Sequence, residues 1–210
     1  MYNEVFKNRK EVGLLLADQL QKYRNTNSIV LAIPRGGVPV AYEISKKLKL
    51  PLDVILSKKI GHPYNKEFAI GAVSLETMVV HKHSEVSEEY VNSEVMQLRK
   101  QLKEKYKLYR GDHHPLAVKG KNIILVDDGI ATGSTLLASI AMLRKSNPSK
   151  IIVAVPVAPE DAIVTFQVEA DEFICLTSSK YFNSVGEFYE DFQQVEDDDV
   201  IHMLKELTYN

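Results

Sequence analysis

Two adjacent carboxylates, Asp127 and Asp128, stand a few residues before a run of small and hydroxyl-bearing side chains. A carboxylate can accept both hydrogen bonds of a vicinal diol such as that of a ribose ring. Where small residues open a helix, the N–H groups of the first turn lack partners within the helix and can bind an anion. The order of residue types therefore predicts a site for a sugar diol and then a phosphate. The candidate phosphate-binding residues are Ala131, Thr132, Gly133, Ser134 and Thr135.

The residues before the carboxylates, 123–126, form a continuous apolar run. Such a run lacks the alternation of a half-buried strand and predicts a strand covered on both faces in a parallel sheet. Ligands of such sheets bind at the carboxyl ends of the strands, where Asp127 and Asp128 lie. In the alternative interpretation, Asp-Asp-Gly is a turn and Thr132 caps the following helix. That alternative explains neither the second acid nor its position after the strand.

Apolar runs of strand length alternate with helix-like segments along the chain, which indicates an α/β protein. No internal repeat or low-complexity linker interrupts the pattern. We expect strands over residues 28–33, 52–57, 70–75, 122–126, 151–157 and 172–176. We expect helices over residues 7–23, 38–48, 87–109, 134–145 and 159–168.

The composition bounds the class of protein. The chain has 210 residues, of which 45% are hydrophobic and 26% charged, and we expect one domain over residues 1–210. The formal net charge is −2 without a basic stripe, which disfavours nucleic acid as the main partner. No apolar run could span a bilayer, and residues 1–4 lack a signal-peptide pattern, so we expect a cytoplasmic protein without a membrane partner. The single cysteine, Cys175, is interpreted as a core residue.

Two further segments of interest follow predicted strands. Residues 33–37 place Arg35, Gly36 and Gly37 directly before a helix. Arg35 offers several donors, and the glycines would let backbone N–H groups converge on an anion. Residues 57–69 are polar and long for a strand connection, which predicts a loop that could close over a site. A plain helix cap and a solvated basic loop are the respective alternatives.

The thirteen residues 123–135 resemble the phosphoribosyl pyrophosphate (PRPP) motif of type I phosphoribosyltransferases. That motif has four apolar residues, two acids, two further residues, a variable fifth position, then Thr-Gly and a small or hydroxyl pair. Every position except Gly129 fits comfortably. The resemblance implies that Asp127 and Asp128 contact the ribose hydroxyls and that residues 132–135 wrap the 5-phosphate.

The same resemblance implies roles for the other two segments. Arg35 and Gly36 match a pair that grips the pyrophosphate, in a loop that can contain a cis non-proline peptide bond. The family's mobile loop begins with a basic residue that touches the pyrophosphate, and Lys58 is the best match, with Lys59 as its neighbour. Relatives often have Arg before Lys where this chain has Ser57, so the register of this loop stays open.

The implied fold is a doubly wound, mainly parallel sheet with helices on both faces and a small hood from a chain end. The core would cover about residues 28–176, and the hood or tail would cover about residues 177–210. Aromatic side chains over residues 181–192 could stack on a planar acceptor or pack a C-terminal tail, and the acidic residues 196–199 indicate a helix start. An apolar stripe on the helix over 87–109 could face the sheet or a second subunit, so a homodimer stays open.

The implied reaction moves the ribose 5-phosphate of PRPP to a nitrogenous acceptor and releases pyrophosphate, with Arg35, Lys58, Asp127 and Asp128 as catalytic candidates. The implied cofactor is Mg²⁺, bound through PRPP oxygens and water, with the two aspartates as candidate protein contacts. Members that use 6-oxopurines usually carry aspartate where this chain has Ala131, so another nucleobase-like acceptor is expected. Two alternatives remain: a PRPP- or nucleotide-sensing regulator without catalysis, and another nucleotide-handling hydrolase on the same fold.

Overall fold

A computed structural model describes residues 5–80 and 85–208 of the chain. The strands are β1 (Ser28–Ala32), β2 (Leu52–Val54), β3 (Lys58–His62), β4 (Asn65–Val73), β5 (Met78–Val80), β6 (Asn122–Val126), β7 (Lys150–Pro159) and β8 (Glu172–Ser179). The α-helices are α1 (Arg9–Gln19), α2 (Gly37–Leu48), α3 (Glu88–Arg110), α4 (Ser134–Lys145), α5 (Glu160–Glu169) and α6 (Asp197–Thr208).

The main sheet has five parallel strands in the order β2-β1-β6-β7-β8. The chain passes from β1 to the edge strand β2 and later returns on the other side of β1, so the winding reverses between β1 and β6. In open parallel sheets, a crevice lies outside the carboxyl ends of the strands at such a switch point. Ala32 pairs with Val126, so β1 and β6 end at the same level. The expected doubly wound α/β fold is confirmed.

Helices cover both faces of this sheet, and successive strand residues face two different cores. Along β6, Ile124 and Val126 pack in the core shared with α1 and α2, whereas Ile123 and Leu125 pack in the core shared with α4 and α5. All four side chains are fully buried. A strand that is covered on both faces needs apolar side chains at every position, which explains the continuous run before the acid pair.

The segment between β2 and α3 differs from the expectation. Strands β3, β4 and β5 form a second, antiparallel sheet. The expected loop over 57–69 is therefore wrong, because most of it forms the β3–β4 hairpin, and the strand expected over 70–75 is the end of β4 and lies outside the main sheet. The pairing shifts register at Gly61, where a Cβ would lie 2.6 Å from the Lys66 carbonyl oxygen. Gly61 thus marks an irregularity within a strand rather than the end of regular structure.

The first helix is shorter than the expected range 7–23. Asn8 caps α1 by accepting a hydrogen bond from the Glu11 N–H at 3.1 Å, which fixes Arg9 as the first helical residue. The helix ends at Gln19 and a short 3-10 helix follows. The cap therefore sets where the Arg9 side chain leaves the helix.

The N-terminal end of the described chain pairs with a segment that precedes α6. Phe6 forms a parallel β-bridge with Tyr189, and its N–H donates to the Phe188 carbonyl oxygen at 2.8 Å. Helix α6 begins at Asp197, as its acidic first turn predicted, and packs against α2 and α3. Residues 1–4, on which the signal-peptide expectation rests, lie outside the described part. Among the residues described, no helix combines the length and apolar character that crossing a membrane requires.

Cys175 lies in β8 and packs against the core on the α4 and α5 face of the sheet. Burial raises the pKa of its thiol to about 11. The thiol is therefore protonated at neutral pH and lacks the thiolate that a nucleophile requires, in agreement with the expected core role.

An ion pair is buried between α3 and the edge strand β2. The Asp53 carboxylate is 1% exposed, contacts the Arg110 guanidinium, and accepts hydrogen bonds from the Val54 N–H at 2.6 Å and the Leu116 N–H at 2.9 Å. Burial raises the pKa of Asp53, and the charge of Arg110 opposes this rise. The pair therefore ties the connection that follows α3 to the sheet.

Removal of one partner from this pair should destabilise the fold strongly. In Arg110→Met, the Asp53 carboxylate stays buried without its counter-charge, and we expect a loss of about 3–5 kcal/mol in the free energy of unfolding. Urea denaturation measures this loss. The double variant Asp53→Asn, Arg110→Met should recover part of it, because no charge remains buried. Wild-type stability of Arg110→Met would contradict the role given to the pair.

Candidate functional site

The loops that follow β1 and β6 touch each other at the switch point. The Gly36 backbone lies so close to the Asp128 carboxylate that a Cβ on Gly36 would be 1.9 Å from Asp128 Oδ2. A Cβ on Gly37 would be 2.7 Å from the Val126 carbonyl oxygen. Only glycine leaves room for these approaches. The structure therefore brings the loop that carries Arg35 into contact with the acid pair.

The two glycines of this loop differ in what they can bind. Gly37 opens α2, and its N–H donates to the Ile33 carbonyl oxygen at 3.1 Å. Because that donor is already bonded, the expectation that both glycine N–H groups converge on an anion is wrong for Gly37. Gly36 remains the candidate backbone donor beside Arg35.

Arg35 extends from this loop to the start of α6. The Pro34–Arg35 peptide bond is cis, as the resemblance allowed. The Arg35 Nη1 lies 3.7 Å from Asp197 Oδ1 and 3.9 Å from Glu196 Oε2, and the side chain is 38% exposed. Exposed ion pairs contribute about 0–1 kcal/mol. The guanidinium can therefore exchange these carboxylates for an anionic ligand at a small free-energy cost.

Asp127 and Asp128 occupy a crowded position directly after β6. Both are half-buried, and the Asp128 N–H donates to Asp127 Oδ1 at 2.9 Å. Burial raises the pKa of Asp127 well above its usual range, and the charge of Asp128 raises it further. Arg9 opposes the rise. Hydroxyl donors or a cation placed beside this pair would stabilise its charged form.

Two residues outside the motif hold Asp128 in place. Arg9 donates from Nε to Asp128 Oδ2 at 2.9 Å, and its Nη2 lies 2.8 Å from the same oxygen. The Tyr189 hydroxyl donates to the Asp128 carbonyl oxygen at 2.7 Å. Burial raises the pKa of Tyr189, which keeps the hydroxyl a neutral donor. The two residues lie 119 and 61 positions from Asp128, so no local spacing in the sequence could reveal them.

The turn after the acid pair opens α4. Gly133 directly precedes the helix with a φ of +71°, a left-handed conformation that favours glycine. The Thr132 hydroxyl donates to Ser134 Oγ at 3.2 Å and accepts from the Ser134 N–H at 3.4 Å. The exposed side chains at this turn are those of Ala131, Thr132, Ser134 and Thr135. A phosphate could therefore reach hydroxyl groups and the helix N-terminus together.

Lys58 opens β3, and its side chain contacts α3. The Lys58 Nζ donates to Gln101 Oε1 at 2.6 Å on the protein surface. Lys59 follows on the same strand with an exposed side chain. The structure thus places both lysines on the hairpin, with Lys58 bound to α3. The Lys58 ammonium group has three donors and could bond to an anion beside Gln101.

The C-terminal segment packs an apolar surface against the motif turn. A Cβ on Gly129 would lie 2.6 Å from Val185 Cγ1 and 2.7 Å from Val157 Cγ2. Within the aromatic segment, Phe188 is 1% exposed and Tyr181 is 82% exposed. Part of the segment therefore packs as a tail, and part remains accessible to a ligand.

The acid pair suits a metal ion that a substrate also holds. In residues 5–80 and 85–208, no group of three or more His, Cys, Asp or Glu side chains could hold a metal ion. Asp127 and Asp128 offer hard carboxylate oxygens, which Mg²⁺ prefers. Two carboxylates fit a Mg²⁺ that takes its remaining ligands from phosphates and water.

The fold and the crevice together define a doubly wound α/β protein with paired acids and a helix N-terminus at its switch point. A comparison with family models gives the family. Residues 1–193 match the phosphoribosyl transferase domain, and the chain belongs to this family.

Individual relatives agree with this assignment. A Mycobacterium tuberculosis protein, provisionally named a phosphoribosyl transferase, is 35% identical over 206 residues in strains CDC 1551 and H37Rv. The match covers 96% of this chain and 46% of the relative, so the chain spans about half the length of the curated relatives it matches.

Solved structures share the fold. The crystal structure of TT1426 from Thermus thermophilus matches with a TM-score of 0.87 at 36% identity, covering 97% of this chain and 99% of that chain. A hypoxanthine-guanine phosphoribosyltransferase from Bacillus anthracis matches with a TM-score of 0.50 at 13% identity, covering 91% and 95% of the two chains. At that identity, the second match speaks for the fold alone.

The raised pKa of Asp127 predicts a dependence of stability on pH. Between the ordinary pKa of 3.8 and the raised pKa of the folded protein, the folded state holds a proton that the unfolded state has released, so stability falls as pH rises through this window. The side chain of Asp127→Asn does not ionise, so this variant avoids the loss of stability and still offers an oxygen acceptor to the Asp128 N–H. We expect Asp127→Asn to unfold at a higher temperature than the wild type near pH 8, with a difference that shrinks toward about pH 4.

Thermal unfolding across this pH range measures the difference, and each kcal/mol corresponds to about 2–4 °C for a chain of this length. Asp128→Asn is the matched comparison: it leaves the Arg9 guanidinium without its carboxylate partner and should lower the unfolding temperature. A constant offset between Asp127→Asn and the wild type at all pH values would show that the pKa of Asp127 is not raised.

Proposed function

We propose that this chain is a Mg²⁺-dependent phosphoribosyltransferase of the cytoplasm that moves the ribose 5-phosphate of PRPP to a small nitrogenous acceptor and releases pyrophosphate. The contact between the Gly36 backbone and the Asp128 carboxylate carries this proposal, because it gathers the Arg35 loop and the acid pair at one crevice, next to the turn that opens α4. Membership of the phosphoribosyl transferase family supports it. We also propose that residues 1–210 act as one domain, since Phe6 pairs with Tyr189 across nearly the whole chain.

The acid pair and the following turn bind opposite ends of the sugar. Asp127 and Asp128 accept hydrogen bonds from the ribose hydroxyls, which lowers the cost of holding two adjacent carboxylates in a half-buried position. The first turn of α4 and the hydroxyls of Thr132, Ser134 and Thr135 bind the 5-phosphate, with the positive end of the helix dipole favouring its charge. Both contacts position the anomeric carbon in the crevice.

The Arg35 loop serves the leaving group. As the bond from the anomeric carbon to pyrophosphate breaks, negative charge grows on the pyrophosphate and positive charge on the sugar. The Arg35 guanidinium and the Gly36 N–H stabilise the leaving group, while Gly37 contributes the close approach of the loop to β6. Lys58 joins them from the hairpin, using donors that its bond to Gln101 leaves over. Closure of the hairpin would exclude water from the reactive sugar.

Mg²⁺ supplies charge neutralisation on the pyrophosphate oxygens when it is bound. Asp127 and Asp128 are the residues that would hold it, together with PRPP and water. Their carboxylates are the matching donors because carboxylate oxygens are hard ligands, and Asp127 becomes easier to ionise beside a divalent cation.

The fifth motif position, which would face the acceptor, carries no proton-transfer group in this chain. The exposed side chain there is the methyl group of Ala131, which can neither donate nor accept a proton. The adjoining wall contains Val185, packed on Gly129. These features favour a nucleobase-like acceptor other than a 6-oxopurine.

Pyrophosphate release from PRPP tests the proposal. With Mg²⁺ present, we expect the wild type to release pyrophosphate with at least one member of a panel of nitrogenous bases, and least with hypoxanthine and guanine. Asp127→Asn and Asp128→Asn should each lower the rate about 10- to 150-fold, since each loses a charge-assisted hydrogen bond of roughly 1.5–3 kcal/mol to the sugar.

Asp112→Asn is the control for these variants. Asp112 is exposed and lines the same cavity as Leu52, at the amino end of β2 and far from the acid pair. It should keep the wild-type rate. Binding of PRPP without pyrophosphate release for any base would support a sensor in place of a transferase. Release of phosphate from nucleotides by a protein that does not bind PRPP would indicate a hydrolase.

A further inference from the structure

We propose that Arg9 is a positioning residue for the ribose site and acts by holding the Asp128 carboxylate in the orientation that binds the diol. This inference rests on the proposed function. It adds a third chain segment, the start of α1, to a site that the motif and the Arg35 loop otherwise supply. Nothing in the local sequence around Arg9 marks it for this role.

Arg9 holds Asp128 through a fork, in which two guanidinium nitrogens contact the same carboxylate oxygen. Arg9 Nε lies 2.9 Å and Nη2 lies 2.8 Å from Asp128 Oδ2. The two side chains are 11% and 15% exposed, so the pair is largely shielded from solvent. Two charge-assisted bonds from one planar group fix direction as well as distance. Oδ1 lies outside this fork, and the fork therefore decides which way the carboxylate presents itself.

The guanidinium is itself held from two other directions. Its Nη1 donates to the Gln193 carbonyl oxygen at 2.7 Å, and its Cζ lies 3.9 Å above the centre of the Phe192 ring. A flat guanidinium on an aromatic face is a favourable arrangement that lysine cannot reproduce. The side chain is thus pinned between the C-terminal segment and the motif, and it has little freedom to move to a ligand.

This arrangement separates a positioning role from direct contact with substrate. All three guanidinium nitrogens contact protein atoms, and two of them contact Asp128, so we assign Arg9 an action on the sugar through Asp128. The backbone of Asp128 is fixed separately, because the Tyr189 hydroxyl donates to its carbonyl oxygen. Gly36 lies against the same carboxylate, nearest to the Oδ2 atom that Arg9 holds. Without Arg9, Asp128 would keep its backbone position but lose the group that orients its carboxylate and balances its charge beside Asp127.

The variants Arg9→Ala and Arg9→Lys test this role, with Lys10→Ala as the matched control. Lys10 is the next residue of the same helix, is exposed, and carries the same charge. Isothermal titration of Mg²⁺ and PRPP into each protein gives the affinity, and initial rates give KM for PRPP and for the acceptor. We expect Arg9→Ala to weaken PRPP binding about 10- to 100-fold, the range typical of groups that orient ligands from outside a site.

Arg9→Lys keeps the charge but loses the fork, so it should show an intermediate loss. Lys10→Ala should bind PRPP as the wild type does. A positioning role raises KM for PRPP and leaves KM for the acceptor nearly unchanged, whereas general damage to the fold would raise both. Thermal unfolding of each variant shows whether it is folded, and Arg9→Lys decides the question if Arg9→Ala is not.

Wild-type PRPP affinity in folded Arg9→Ala would overturn the inference and leave the proposed function intact. Wild-type affinity in Arg9→Lys would also overturn it, because charge alone would then suffice. A wild-type protein that binds no PRPP with Mg²⁺ would instead overturn the proposed function and this inference together.

Discussion

The approach of the Gly36 backbone to the Asp128 carboxylate is the contact on which the rest of the crevice depends. Two parallel strands that end at the same level bring their following loops together, but the loops can touch only if one of them carries no side chain. Gly36 meets that condition. Because the contact exists, Arg35 and the acid pair share one crevice, and the turn into α4 follows directly.

The acid pair shows how the chain gives up stability for a binding site. Burial disfavours ionisation of Asp127, and Asp128 beside it adds repulsion. The protein offsets this with Arg9, which lies near the N-terminus and donates to the Gln193 carbonyl oxygen. Sites that bind charged ligands commonly retain such locally unfavourable groups, since the ligand relieves them. The pairing of the N-terminal end with the segment that precedes α6 is thus part of the site as well as of the fold.

The sequence predicted the parts of the structure that follow from local pattern. The apolar run of β6 and the turn after it could be read directly, since full burial on both faces leaves a simple signature. The β3–β4 hairpin could not be predicted because the polar character and length of residues 57–69 are typical of a loop, whereas Gly61 lies at a register shift within the strand pairing. Arg9 and Tyr189 could not be predicted, because their contacts with Asp128 join residues remote in sequence.

A crystal structure of the protein with PRPP and Mg²⁺ tests most directly whether this crevice is the binding site. The proposed binding mode places the ribose hydroxyls against Asp127 and Asp128, the 5-phosphate at the first turn of α4, and the pyrophosphate beside Arg35 and Gly36. Arg9 should keep its fork to Asp128 in the complex. PRPP bound elsewhere, or bound here with its 5-phosphate away from α4, would contradict it.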